Sequence, residues 1–266
     1  MTMTRTALLA LILSIASVAQ AQARCSDPPG LQVDWRGCDK SKADLKGAQL
    51  PLARLTGANF AGADLTGANL ANAILTDVNL AGANLTKADL QRSDMSGVIL
   101  TGANLSGANL DFTNLPGANL STTTLTDTDL YLTRLEGANL SGLNLTKMSF
   151  DVPYLAGANL SRTNLSGVKL TGIELANVNL AGAKLVGANL GDANLEDANL
   201  TGADLTNAKL TNAYLDGVKF AGANLSDADF TNASLDDVVL TGARLGGATW
   251  SDGSKKCAAG SVGACR

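Results

Sequence analysis

The sequence predicts a solenoid, a rod made by stacking one short unit on copies of itself, and three observations carry that expectation. From Leu45 to Trp250 every fifth residue is Leu, Phe, Met or Trp, 42 positions without a slip of register, and 36 of them are Leu. Neither the 3.6-residue turn of an α-helix nor the alternation of a strand sustains a period of five, so the repeat itself sets the architecture. All four cysteines fall outside the periodic stretch, Cys25 and Cys38 before it, Cys257 and Cys265 after it. The chain has no histidine and few aromatic residues. The sequence therefore speaks mainly of shape.

The ends and the charge bound the compartment and the partners. Across 266 residues the net charge is −4, with the acid scattered. That balance is far from the basic surface of a nucleic-acid binder and serves solubility. Residues 1–23 have the parts of a secretory signal: Arg5, an apolar core from Ala7 to Ile15, and two overlapping A-x-A cleavage sites in Ala19-Gln20-Ala21-Gln22-Ala23. Ser14, Ser17 and Gln20 interrupt the apolar run before it is long enough to span a bilayer. No later stretch approaches a span, so no stable membrane insertion is expected after cleavage. A lipoprotein site does not fit, because Arg24 precedes Cys25. The expected location is periplasmic or secreted, where disulfides persist.

The repeating unit is Ala-Asn/Asp-Leu-Ser/Thr-Gly, plain in Ala58-Asn59-Phe60-Ala61-Gly62 and in Ala103-Asn104-Leu105-Ser106-Gly107. It resembles the pentapeptide repeat family with its A(D/N)LXX signature, over roughly residues 43–250. The resemblance implies an all-β fold, a right-handed quadrilateral β-helix with four pentapeptides to each square coil and about 10 coils. In such a coil the central Leu fills the axis above the Leu twenty residues earlier. The small residue two positions before it also points inward. Gly and Asn suit the dihedrals of the corners, and Asn or Asp side chains can bond nearby backbone. Each buried Leu contributes on the order of 2 kcal/mol before chain entropy is subtracted.

A stack of this kind has two open ends, so caps are expected, at residues 24–42 and 251–266, flanking a repeat body at 43–250. Trp35 is expected to lie over the first coil. Four cysteines allow three connectivities, but a rod of ten coils holds the two pairs far apart. Cys25–Cys38 and Cys257–Cys265 are the expected bridges, pinning the two lids. A metal site is the other reading, and it would have only two thiols at each end and no histidine.

Function must then sit on outward positions, where residues twenty apart share one edge of the rod. One column, two places after the central residue, runs Leu52, Asn72, Arg92, Phe112, Leu132, Val152, Gly172. Phe112, Leu132 and Val152 stack in successive coils, with Tyr131 and Tyr154 nearby. An exposed contiguous apolar patch marks a contact surface, so this corner is the candidate partner patch, for an unknown protein or a second copy of the chain. The bland reading is an uneven corner. Beside it, Leu143, Met148 and Pro153 take three consecutive positions where Ala is the rule, which should widen that coil.

Two other surfaces were candidates. A hydroxyl column (Thr66, Thr86, Ser106, Thr126, Thr146, Ser166, Thr206, Ser226) could order water and bind ice or glycan, although turn capping explains it more simply. Asp192, Glu196, Asp197, Asp227, Asp229, Asp236 and Asp237 enrich the late coils in acid, as a DNA-mimicking, topoisomerase-binding rod would require, but Lys169, Lys184, Lys209 and Lys219 interleave. An enzyme is not expected. Without histidine there is no Ser-His-Asp or Cys-His arrangement, and acidic pairs on a convex rod have no pocket to shift their pKa values. No cofactor, catalytic residue or metal ligand is expected. The function expected is that of an exported structural or protein-interaction scaffold.

Overall fold

Four sides are stacked at intervals of twenty residues. The computed structural model describes residues 23–148 and 154–266; the expected signal peptide up to Gln22, and Val152 and Pro153 of the irregular coil, lie outside them. Parallel bridges join residues just before a central position to their equivalents twenty residues on, with lapses at Ile99 and Thr124 among the described residues. The first side runs through Asp34, Arg54 and Ile74, the second through Asp39, Asn59 and Asn79, the third through Asp44, Asp64 and Asn84, and the fourth through Gln49, Asn69 and Asp89. Leu45 N–H donates to the Asp64 carbonyl at 2.8 Å, and Asp64 N–H donates to the Ala43 carbonyl at 2.9 Å. Neighbouring coils are thus joined in both directions along the axis.

The interior follows from side-chain size. Central residues such as Leu55, Leu85 and Leu185 are fully buried, and so are the small residues two places earlier, such as Ala53, Ala83 and Ala183. Two inward residues in every five leave the rod with an apolar core along its length. Each side ends in a tight turn: Ala48 N–H donates to the Leu45 carbonyl at 3.0 Å, and Gly47 between them has φ of 62°. Glycine takes that conformation without a steric cost, yet Asn, Asp and a few larger residues also take it here.

The outward Asn and Asp reinforce these turns. Asn59 Oδ1 accepts the N–H of Ala61 at 3.1 Å, an Asx turn, while Asn79 Nδ2 donates to Asn59 Oδ1 of the coil before at 3.1 Å. One side chain therefore closes its own corner and ties two coils together.

At the N-terminal end the ladder reaches back to Asp34, inside the stretch 24–42 that the sequence assigns to a cap. Trp35 packs against the first coil of the 43–250 body from a rung of the ladder. It is fully buried at a central position and meets Phe60 at 6.3 Å between ring centroids, because an indole fills the axis as Leu does. Lys40 stands at the next central position, with Nζ 3.8 Å from the Trp35 ring centroid and 2.6 Å from the Cys25 carbonyl. Its ammonium lies over the ring face and donates to that carbonyl, a cation–π contact at the end of the rod. Cys25 and Cys38 form a disulfide there.

At the C-terminal end the chain doubles back. Antiparallel bridges Thr249↔Lys256 and Arg244↔Val262 lay residues 251–266 along the fourth and third sides of the last coil. A disulfide joins Cys257 to Cys265. The first and second sides are not overlaid in this way, and Leu235, Val238 and Leu240 are only half-buried.

Candidate functional site

The corner between the fourth and first sides carries the most unusual side chains. Its third turn position holds Leu52, Asn72, Arg92, Phe112 and Leu132, all with φ between 52° and 59°. That left-handed conformation costs a bulky side chain roughly 1–2 kcal/mol, and the fold accepts Gly, Asn and Asp there elsewhere. The large residues are therefore not a requirement of the turn.

The side chains form a compact group. The Phe112 and Tyr131 rings meet edge to face with centroids 5.4 Å apart. The Arg92 guanidinium lies over the other coil-facing side of this group, 4.9 Å from the Phe112 centroid. Tyr131 N–H donates to Asp111 Oδ1 at 3.0 Å, which fixes the backbone beneath the rings. Phe112 and Tyr131 remain about 40% exposed, and Leu132 is half-buried. Tyr154 is exposed on the adjoining first side, bridged to Arg134, whose Nε donates to Glu136 Oε1 at 3.1 Å.

Of the five patch residues expected from sequence, Phe112, Tyr131 and Leu132 are brought together. Tyr154 lies on the neighbouring side, and Val152 is outside the described residues. Arg92 was missed as a member of the group. Its signal was present in the column, since it stands twenty residues before Phe112, where a guanidinium can reach the ring.

The other candidate surfaces resolve differently. Thr86, Ser106, Ser166 and Ser226 each donate to the Asn two residues earlier, at 2.6 to 2.8 Å, and Thr66 and Thr206 donate to Asp64 and Asp204. With Thr146, which donates to Asn144 at 3.0 Å, the hydroxyl column apart from Thr126 is thus engaged in turn capping. The late acids are divided by the register: Glu196, Asp197, Asp236 and Asp237 share the corner between the first and second sides, whereas Asp229 stands in the fourth-side ladder with Lys169 and Lys209. Among the described residues, no group of His, Cys, Asp or Glu is arranged to hold a metal ion.

Several carboxylates have pKa values below their usual range. For Asp64 the cause is first the Thr66 hydroxyl and then the Thr66 N–H. For Asp94 and Asp204, burial alone would raise the value, but hydrogen bonds outweigh it, chiefly from Ser96 and Asn114 and from Thr206 and Asn224 respectively. These are charges held by turn geometry.

No curated protein matches the chain. Among solved structures it is similar to HetL, a pentapeptide repeat protein involved in heterocyst differentiation regulation from the cyanobacterium Nostoc sp. strain PCC 7120, with 29% identity, 95% of this chain and 99% of HetL covered, and a TM-score of 0.44. It is also similar to QnrB1, a plasmid-mediated fluoroquinolone resistance protein, with 19% identity over 71% of this chain and 85% of the other at a TM-score of 0.29. A third is Rfr23, a pentapeptide repeat protein from the cyanobacterium Cyanothece 51142, with 30% identity over 51% and 85% of the two chains and a TM-score of 0.27. The decisive match is with the family defined by pentapeptide repeats, which covers residues 36–70 and continues through 213–249 in 8 copies. With its four bridged sides and its unbroken central column, the chain belongs to the pentapeptide repeat family.

Proposed function

We propose that this protein is an exported, non-enzymatic scaffold that docks a protein partner on the corner formed by Arg92, Phe112, Tyr131 and Leu132. Its rod is a right-handed quadrilateral β-helix of about 10 coils with a disulfide-pinned cap at each end, working in the periplasm or outside the cell. The observation that carries the docking reading is the pair Phe112 and Leu132, which occupy left-handed turn positions at a steric cost and stay accessible to solvent. Aromatic rings beside an arginine are also what interfaces favour at their centres. Export rests on the signal-like first 23 residues and on four cysteines that all pair.

The test is a double variant, Phe112→Asp with Leu132→Asp. Asp already occupies the same turn position at Asp77, Asp127 and Asp192, so the fold should persist and the circular dichroism should not change. Association with the partner, captured by crosslinking in the periplasm, should be lost. Unchanged capture would refute the reading. Self-association is the variant of this reading in which the same substitutions turn an oligomer into a monomer. A DNA-mimicking rod requires inhibition of a type II topoisomerase by the mature protein, and ice or glycan binding requires retention on that solid.

A further inference from the structure

The third side is interrupted. Its ladder stops at Thr124 and resumes with the bridge Asn144↔Asn164. Elsewhere on this side, except at Lys147, whose N–H makes no hydrogen bond among the described residues, each coil gives the next two N–H groups and one carbonyl, as Leu105 N–H and Gly107 N–H do to Thr124 and Thr126. The equivalent N–H groups of Leu125 and Asp127 make no hydrogen bond among the described residues, and neither does the N–H of Asn144, which would donate to Thr123. The carbonyls of Asn144 and Thr146 are left without donors in the same way.

The cause is local. Between Gln32 and Gly247, Thr122 and Lys147 are the two described residues that do not take the left-handed conformation at the third turn position. A β-branched residue resists it. Leu143 and Met148 then fill inward positions that Ala occupies in other coils, and force the lips apart. Between the lips lies a cleft of about 230 Å3 lined by Leu125, Thr126, Asn144, Thr146, Lys147 and Met148. The second side also lapses, between Ile99 and Asn119, where the N–H groups of Leu100 and Asn119 make no hydrogen bond among the described residues, but there the Thr122 hydroxyl accepts the N–H of Gly102 at 3.1 Å and none of that side's residues lines the cleft.

We propose that this cleft accepts an extended peptide strand of a partner protein, which completes the interrupted ladder. The occupant must accept from Leu125 and Asp127 and donate to Thr123 below, and must accept from the Asn144 N–H and donate to the Asn144 and Thr146 carbonyls above. Backbone amides do both at strand spacing, which is the chemistry of strand addition. The floor, Leu125 and Met148, is buried and apolar, suiting a small apolar side chain. Lys147 of the lining and Asp127, next in sequence to the lining residue Thr126, give the surroundings one charge of each sign. The site is a side of the rod away from the Phe112 corner and stands or falls without it.

The experiment is residue-resolved amide exchange on the mature protein, with acetyl-Thr-Ala-Asn-Leu-Thr-amide as probe. In the free protein, Leu125 and Asp127 should exchange at least tenfold faster than Leu105 and Gly107. Saturating probe should slow them at least tenfold, and its backbone N-methylated analogue, which cannot donate, should not. Leu143→Ala with Met148→Ala restores the small inward residues, and should slow both amides without probe and abolish binding. Slow exchange of Leu125 and Asp127 in the free protein, or no response to millimolar probe (a cleft that holds only water), would overturn the proposal. An equal response to the N-methylated probe would overturn it too, and needs no variant.

Discussion

Phe112 and Tyr131 are joined twice: the Phe112 N–H donates to the Tyr131 carbonyl at 2.8 Å, and their rings meet edge to face at 5.4 Å. The first bond belongs to the ladder and would exist for any residue pair at these positions. The second depends on the side chains, and builds an aromatic surface on the corner of a rod whose other corners carry mostly Gly, Asn and Asp.

Replacing Phe112 with Gly separates fold from function. The ring contact contributes about 0.5–1.5 kcal/mol, and relieving the left-handed strain returns a similar amount. Phe112→Gly should therefore shift stability by less than about 1 kcal/mol, read by thermal denaturation. Leu110→Ala, at the buried central position two residues before Phe112, should cost about 2–5 kcal/mol.

Ser93 makes a second stability test. It takes an inward position that Ala holds in most coils, it is buried, and its hydroxyl has no hydrogen-bond partner. An unsatisfied buried hydroxyl costs about 1–3 kcal/mol. Ser93→Ala should raise the denaturation midpoint, whereas Thr113→Ala should not, because the Thr113 hydroxyl donates to the Leu90 carbonyl at 2.9 Å.

The pH dependence has a definite sign. Asp94 and Asp204 have folded pKa values below the ordinary 3.8. Their contribution is complete above the unfolded value and is lost as pH falls through the folded one. Stability should hold from neutral pH down to about 5 and fall below about 4. The double variant Asp94→Asn with Asp204→Asn, which keeps an oxygen for each turn, should flatten that fall.

Reduction should act on the ends. Breaking Cys25–Cys38 or Cys257–Cys265 removes a crosslink over a short loop, worth up to about 3 kcal/mol in the chain-entropy account. Amide exchange should rise first at residues 24–42 and 251–266, with the middle coils unchanged. Uniform acceleration along the rod would show that the bridges hold the whole stack rather than its ends.

Much of this fold was legible in the sequence because a period of five repeated over 42 positions leaves a single axis for the large residues. The pairing of the cysteines was legible for a related reason, since the rod separates the two ends. The start of the ladder at Asp34 was not, because Trp35 and Lys40 replace Leu in the central column. The wide inward residues Leu143 and Met148 were visible, but the opening of the third side was not. It depends on the backbone of Thr122, and the residue sequence alone does not state which corner will abandon the left-handed turn. Turn capping was legible in the hydroxyl column, and all of its members but Thr126 donate to a side chain two residues earlier.

The most direct measurement is site-specific photocrosslinking in cells from position 131, with position 214 as control, since Tyr214 is also exposed but stands on the first side three coils beyond Tyr154. The docking account predicts a discrete adduct from position 131, none from 214, and loss of the adduct in the Phe112→Asp, Leu132→Asp background. The same adducts from both positions, or an adduct from 131 that survives those substitutions, would contradict it.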